Sequence, residues 1–227
     1  MVSSEPAVRV REVSRRFGYR WVVRNVSMDI ASGEAVMLVG GNGAGKTTLL
    51  RVMAGLLKAH KGRIDYRGMV GMVAHHTMMY DALTARENLV FFGRLHGLRD
   101  DGRADRLLDR LGLGPVSGER IATFSRGMLQ RLAIARALLH EPDVLLLDEP
   151  LTGLDDAASQ IVLAVIAELK ARGAALLIAT HQLIELTSVT ERVGYMVSGR
   201  LAALESLPGP DAGAIVSRYR ELVASGV

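Results

Sequence analysis

The sequence predicts an α/β fold built on a mainly parallel sheet, and three observations point there. Short aliphatic runs of strand length, AVMLV at Ala35–Val39, VLLL at 144–147 and ALLIA at Ala175–Ala179, show no alternating polar face. That is the pattern of strands covered on both sides by other elements. Helical spacing fills the intervals between them. The first run also ends in a glycine-rich loop that opens a helix.

The elements follow in order. Residues 7–13 and 22–30 alternate as strands, with Gly18 marking the turn between them. After Ala35–Val39 a helix is expected over 46–57, and Val70–Val73 reads as a short buried strand. From 81 to 110 the spacing of Leu83, Leu89, Phe92, Leu95, Leu107, Leu108 and Leu111 is helical. A helix over 125–139 is broken by Pro142, 144–147 is a buried strand, and a long helix over 157–172 stops at Gly173. Ala175–Ala179 is the next strand, and 193–197 with 201–204 flank Ser198-Gly199-Arg200 as a hairpin. Pro208-Gly209-Pro210 links to a tail helix over 211–224. The 227 residues suit one domain.

Composition removes several function classes. There is no cysteine, so disulfides and thiolate metal sites are excluded and a reducing compartment fits. The formal charge is +4, but the arginines are interleaved with Asp and Glu, as in GRADRLLDR at 102–110, so no nucleic-acid partner is expected. No run approaches the ~18–20 apolar residues that cross a bilayer, and the first residues lack the apolar core of a signal peptide.

Gly40, Gly41, Asn42, Gly43, Ala44, Gly45, Lys46 and Thr47 satisfy G-x-x-x-x-G-K-[ST] between a strand and a helix. Glycines let backbone N–H groups converge on phosphates, and the helix N-terminus adds positive potential. Lys46 is expected at the β- and γ-phosphates and Thr47 on magnesium, with Thr48 adding a second hydroxyl. At the end of the 144–147 strand, Asp148 is expected to hold magnesium through water and Glu149 to orient or activate the attacking water.

With Phe124-Ser125-Arg126-Gly127-Met128 before Gln130-Arg131 and the helix LAIARALL, these motifs resemble the ABC (ATP-binding cassette) ATPase family over essentially the whole chain. Thr152-Gly153-Leu154-Asp155 is similar to the D-loop, and Thr180-His181 to the switch histidine. The resemblance implies one cassette over 1–227: a phosphate-loop NTPase core of mainly parallel sheet, an antiparallel β-subdomain and a helical signature subdomain near 76–137. It implies a head-to-tail homodimer on ATP binding, with Ser125 and the Gly127 backbone touching the partner's γ-phosphate. His181 would meet the γ-phosphate in its own chain, Asp155 would link the two sites, and Phe17 would stack on adenine. The implied ligands are ATP and Mg2+. The implied partners are integral membrane permease subunits, with the chain peripheral at the cytoplasmic face of the cell membrane.

The sequence departs from the family pattern at two places. Arg126 and Met128 stand in the signature where glycine and glutamine are usual, and Arg126 is expected to point to solvent or an interface. The Q-loop glutamine is replaced: His75, with His76 the alternative, falls at that position beside the nucleotide and magnesium. The tract MVGMVAHHTMMY at 69–80 reads as a strand and a Met-rich docking surface, in preference to a haem or copper site. The paired histidines, the SRGM sequence and LTARENL at 83–89 look most like the haem-export ATPase of cytochrome c biogenesis, with drug and polysaccharide exporters as near neighbours.

Overall fold

The computed structural model describes residues 6–74, 79–207, 209 and 211–226. The strands β1 (Val8–Phe17), β2 (Arg20–Ile30) and β4 (Lys61–Tyr66) form a three-stranded antiparallel sheet in the order β2-β1-β4. The main sheet holds β3 (Ala35–Val39), β5 (Val70–Val73), β6 (Val144–Asp148), β7 (Ala175–Ala179), β8 (Arg192–Val197) and β9 (Arg200–Ser206). Its order is β5-β6-β7-β3-β8-β9, parallel except for the β8–β9 hairpin.

The helices are α1 (Lys46–Met53), α2 (Ala85–Leu95), α3 (Arg103–Arg110), α4 (Arg126–Leu138), α5 (Asp156–Ala171), the single turn α6 (Leu183–Leu186) and α7 (Ala212–Ala224). They explain why the central strands read as unbroken apolar runs. In β3, Val36 and Leu38 face one core, shared with α1 and the antiparallel sheet. Ala35, Met37 and Val39 face the other, shared with α2 to α5 and α7. Leu146 of β6 and Leu177 of β7 join the first core, and Leu145, Leu147, Leu176 and Ile178 the second. Both faces of the sheet are covered, so every position must be apolar.

Two expectations are corrected and one strand is added. The helix expected to 57 ends at Met53, because Ala54 caps it and Gly55 turns away at φ 72°. The helical stretch from 81 to 110 is two helices, divided by Gly97 at φ 72° and Gly102 at φ 79°. The strand β4, KGRIDY, went unseen because it lies mostly in water and carries a charge at three of its six positions. The first helix of this region is strongly specified at its start: Thr84 and Glu87 form a reciprocal capping box.

His140, just beyond α4, stacks on His96 at the end of α2, with ring centroids 4.6 Å apart, and its Nε2 meets the Val70 carbonyl at 3.2 Å. Burial first, then the neighbouring His96, holds the His140 pKa below its ordinary value against that carbonyl bond. The unfolded chain therefore binds this proton more tightly, and stability must fall as pH drops below about 6.5. Urea midpoints measured from pH 7.5 to 5.5 should decline, and His140→Gln should flatten part of that decline; an unaltered slope in the variant removes His140 as its cause.

Candidate functional site

The ends of β3 and β6 and the loops after them enclose a hollow of about 480 Å3, with residues 41–48 on one side and Arg126, Asp148, Glu149, Thr152 and His181 on the other. Glycine is required where the loop is tight. A Cβ on Gly40 would lie 2.5 Å from the Met196 carbonyl oxygen, and one on Gly45, at φ 104°, 2.5 Å from that of Val22. The loop is thus pressed directly onto β2 and β8.

Lys46 opens α1 and folds back over the loop. Its Nζ donates to the carbonyls of Gly40 at 2.6 Å and Gly41 at 3.4 Å. Burial lowers its pKa, while the charges of Glu149 and Asp148 pull the other way. Thr47 Oγ1 donates to Asp148 Oδ1 at 3.2 Å, joining the loop to the end of β6. A hydroxyl and a buried carboxylate side by side are hard oxygen donors of the kind a magnesium ion takes together with phosphate oxygens. No three His, Cys, Asp or Glu side chains converge as metal ligands among the described residues. A cation held partly by a substrate's phosphates needs no such cluster.

Glu149 stands in the left-handed region at φ 54°, a conformation costing roughly 1–3 kcal/mol for a non-glycine residue. The surroundings enforce it. Its N–H donates to the Ala179 carbonyl at 2.8 Å, and Gln130 Nε2 donates to the carbonyls of Glu149 and Pro150 at 3.3 and 3.1 Å. The carboxylate is turned to β7: Oε2 lies 2.8 Å from His181 Nδ1 and accepts from the His181 N–H and Thr180 Oγ1, each at 3.3 Å. An imidazole that gives Nδ1–H to Glu149 can also donate from Nε2 only when it carries both protons.

Arg126, expected to point to solvent or an interface, is exposed, and it stands at the edge of this hollow. Its stem lies across Gly153, where a Cβ would come within 3.0 Å of Arg126 Cδ. Gly127 packs as closely, a Cβ there falling 2.9 Å from the Gly153 carbonyl oxygen. This contact between the start of α4 and the loop before α5 keeps the exposed Arg126 side chain beside the hollow.

Other predicted residues stay apart from the hollow. Ser125 is the exposed N-cap of α4, accepting from the Met128 N–H at 3.2 Å, and Asp155 caps α5, accepting from the Ala158 N–H at 2.8 Å. Neither they nor Gly127 line it. Phe17, 47% exposed at the end of β1, does not line it either, and the Arg15 guanidinium sits 4.8 Å over its ring. His75 and His76 lie outside the described residues. Sequence reasoning missed the anchoring part of Gln130, and it missed Tyr219, whose place in a tail helix carries no signal of contact with the loop.

The ABC transporter family model matches residues 23–152. The chain belongs to the ABC transporter family. The ABC transporter ATP-binding protein NatA of Bacillus subtilis is 39% identical, over 88% of this chain and 91% of its own. A daunorubicin resistance ATP-binding protein of Streptomyces coeruleorubidus is 34% identical, over 88% and 68%. A linearmycin resistance ATP-binding protein of Bacillus subtilis is 30% identical, over 87% and 68%. Among solved structures, an ATP-binding subunit of an ABC transporter superposes with a TM-score of 0.86 at 28% identity, covering 96% of this chain and 99% of that one. A dimeric cassette in a post-hydrolysis state with ADP and Pi bound gives 0.79 at 26% identity, covering 89% and 99%. This chain is accordingly an ABC ATPase, an ATP-binding subunit that hydrolyses ATP on the cassette fold.

Proposed function

We propose that this ABC subunit drives a drug- or antibiotic-type exporter, closing as a homodimer around ATP beneath integral membrane subunits at the cytoplasmic face of the cell membrane. The gathering of Lys46, the Thr47–Asp148 pair and the Glu149–His181 pair around one hollow carries the catalytic part of this reading. Lys46 exchanges its two loop carbonyls for the β- and γ-phosphates, with the amides of 43–48 around them. Thr47 and Asp148 hold magnesium, which when bound neutralises phosphate charge and orients the γ-phosphoryl group. Glu149 takes a proton from the attacking water, and His181 keeps that carboxylate aimed. Arg126 adds a cation at the mouth of the hollow. Ser125, Gly127 and Asp155 lie off their own chain's hollow, which supports their serving a second copy's nucleotide.

One observation supports a membrane partner. Tyr80 and Phe91, with ring centroids 5.0 Å apart, and Leu95 leave an apolar patch in water on and beside α2. The cargo follows the resistance proteins among the relatives, which do not support the haem reading taken from His75, His76 and the SRGM sequence. Deleting the gene and restoring it tests this. Sensitivity to amphipathic antibiotics should rise several-fold with cytochrome c maturation intact, and the tagged protein should bring down an integral membrane subunit. Loss of c-type cytochromes with unchanged drug sensitivity would reverse the choice of cargo.

A further inference from the structure

The phosphate loop is walled on three sides, and the third wall is the C-terminal helix. Beyond the contacts of Gly40 with β8 and Gly45 with β2, the Gly41 N–H donates to Tyr219 Oη at 2.8 Å. The fit is close, since a Cβ on Gly41 would stand 3.0 Å from that oxygen. Gly41 is also where the loop's internal bonds meet, because its carbonyl accepts from the Ala44 N–H at 3.1 Å and from Lys46 Nζ at 3.4 Å. One phenol thus fixes the peptide on which the phosphate-binding lysine rests.

The helix that presents the phenol is itself firmly docked. Ile215, Tyr219 and Leu222 form one stripe of α7, with Ile215 and Leu222 buried in the second core. On the outer side, Arg218 donates to Glu205 of β9 at 2.7 Å and to Glu221 at 3.1 Å. A second hollow of about 390 Å3 is lined by residues 41–44, Trp21, Ser198 and Tyr219, and Tyr219 bridges from α7 to the loop there. Without that contact the back of Gly41 faces open space.

We propose that Tyr219 is a positioning residue for nucleotide binding: through its bond to the Gly41 N–H, α7 holds the phosphate loop in its binding shape. The proposal rests on the loop being the nucleotide site, and it adds the tail helix to that site. Preorganisation acts on binding of any nucleotide with α- and β-phosphates, since Tyr219 bonds the loop at Gly41 and does not line the hollow that holds Glu149 and His181.

The test uses the full chain with Tyr219→Phe, which keeps the ring in place and removes one oxygen. Losing a single hydrogen bond should raise the Kd for ATP and for ADP alike by about three- to tenfold. KM should rise with kcat nearly unchanged, and hydrogen exchange at the Gly41 amide should quicken without nucleotide. Gly41→Ala, at a position without positive φ, should weaken ATP binding less in the Tyr219→Phe background than alone, because the oxygen that crowds the new Cβ is gone. A Kd within twofold of wild type, or unchanged Gly41 exchange, overturns the proposal. So does an equal effect of Gly41→Ala in both backgrounds. A wild-type chain that failed to bind ATP would sink the nucleotide reading, while the exchange measurement would still decide whether Tyr219 holds the loop.

Discussion

Glu149→Gln is expected to leave ATP bound and to lower its hydrolysis by about a thousandfold, within the range a positioned general base contributes. Glutamine has nearly the same shape, so it can still accept from the His181 N–H and Thr180 Oγ1 that hold the native carboxylate at 3.3 Å. Gln130 and the Ala179 carbonyl grip the main chain and do not depend on the side chain, so the strained turn at φ 54° survives. What disappears is the negative charge facing His181 Nδ1 at 2.8 Å and the basicity to take a proton from water. Phosphate release and ATP-dependent dimer mass, measured side by side, separate the two effects. Hydrolysis near the wild-type rate would remove Glu149 from the chemistry and leave it a structural residue of the turn.

Lys46→Ala is expected to weaken ATP binding by about a hundredfold, the scale of losing one or two charge-assisted hydrogen bonds to phosphate. Stability should respond differently. Burial depresses the Lys46 pKa in the nucleotide-free protein, so the unfolded chain holds that proton more tightly. The buried charge then costs stability at neutral pH, and this cost fades as pH rises through the folded-state pKa. Removing the lysine relieves that cost and loses its bonds to Gly40 and Gly41, so the melting temperature should move by no more than a few degrees, while the upward shift that ATP gives the wild type should disappear. At a hundredfold excess over its Kd, ATP stabilises by about 2.7 kcal/mol, or roughly 5–10 °C for a domain of this size. Thermal melts with and without ATP read both effects. A persistent ATP shift in the variant would show that the phosphates are held without Lys46.

Much of this molecule was legible because its signals are local. Short apolar runs close to glycine or polar residues report strands covered on both faces, and Ala35–Val39 and Ala175–Ala179 fall where the pattern puts them. Gly40 to Thr47 announce a phosphate loop because backbone amides can converge only where side chains are missing. Where burial was slight the signal failed: β4 has a charge at half its positions, and two helices separated by glycines read as one.

The sequence by itself therefore determined the element types, the phosphate loop and the acidic pair after β6, each written within a dozen residues. Which side chains meet was decided by the order of the sheet. Because β7 lies between β6 and β3, with Asp148 in register with Ala179, Glu149 stands beside Thr180 and His181, about thirty positions away in the chain. The β8–β9 hairpin on the other side of β3 gives α7 its seat, and so brings Tyr219 to Gly41 across 178 positions. Periodicity reports only how a residue sits within its own element. Strand order and register depend on how both faces of the whole sheet are buried at once, and no short window of sequence contains that information.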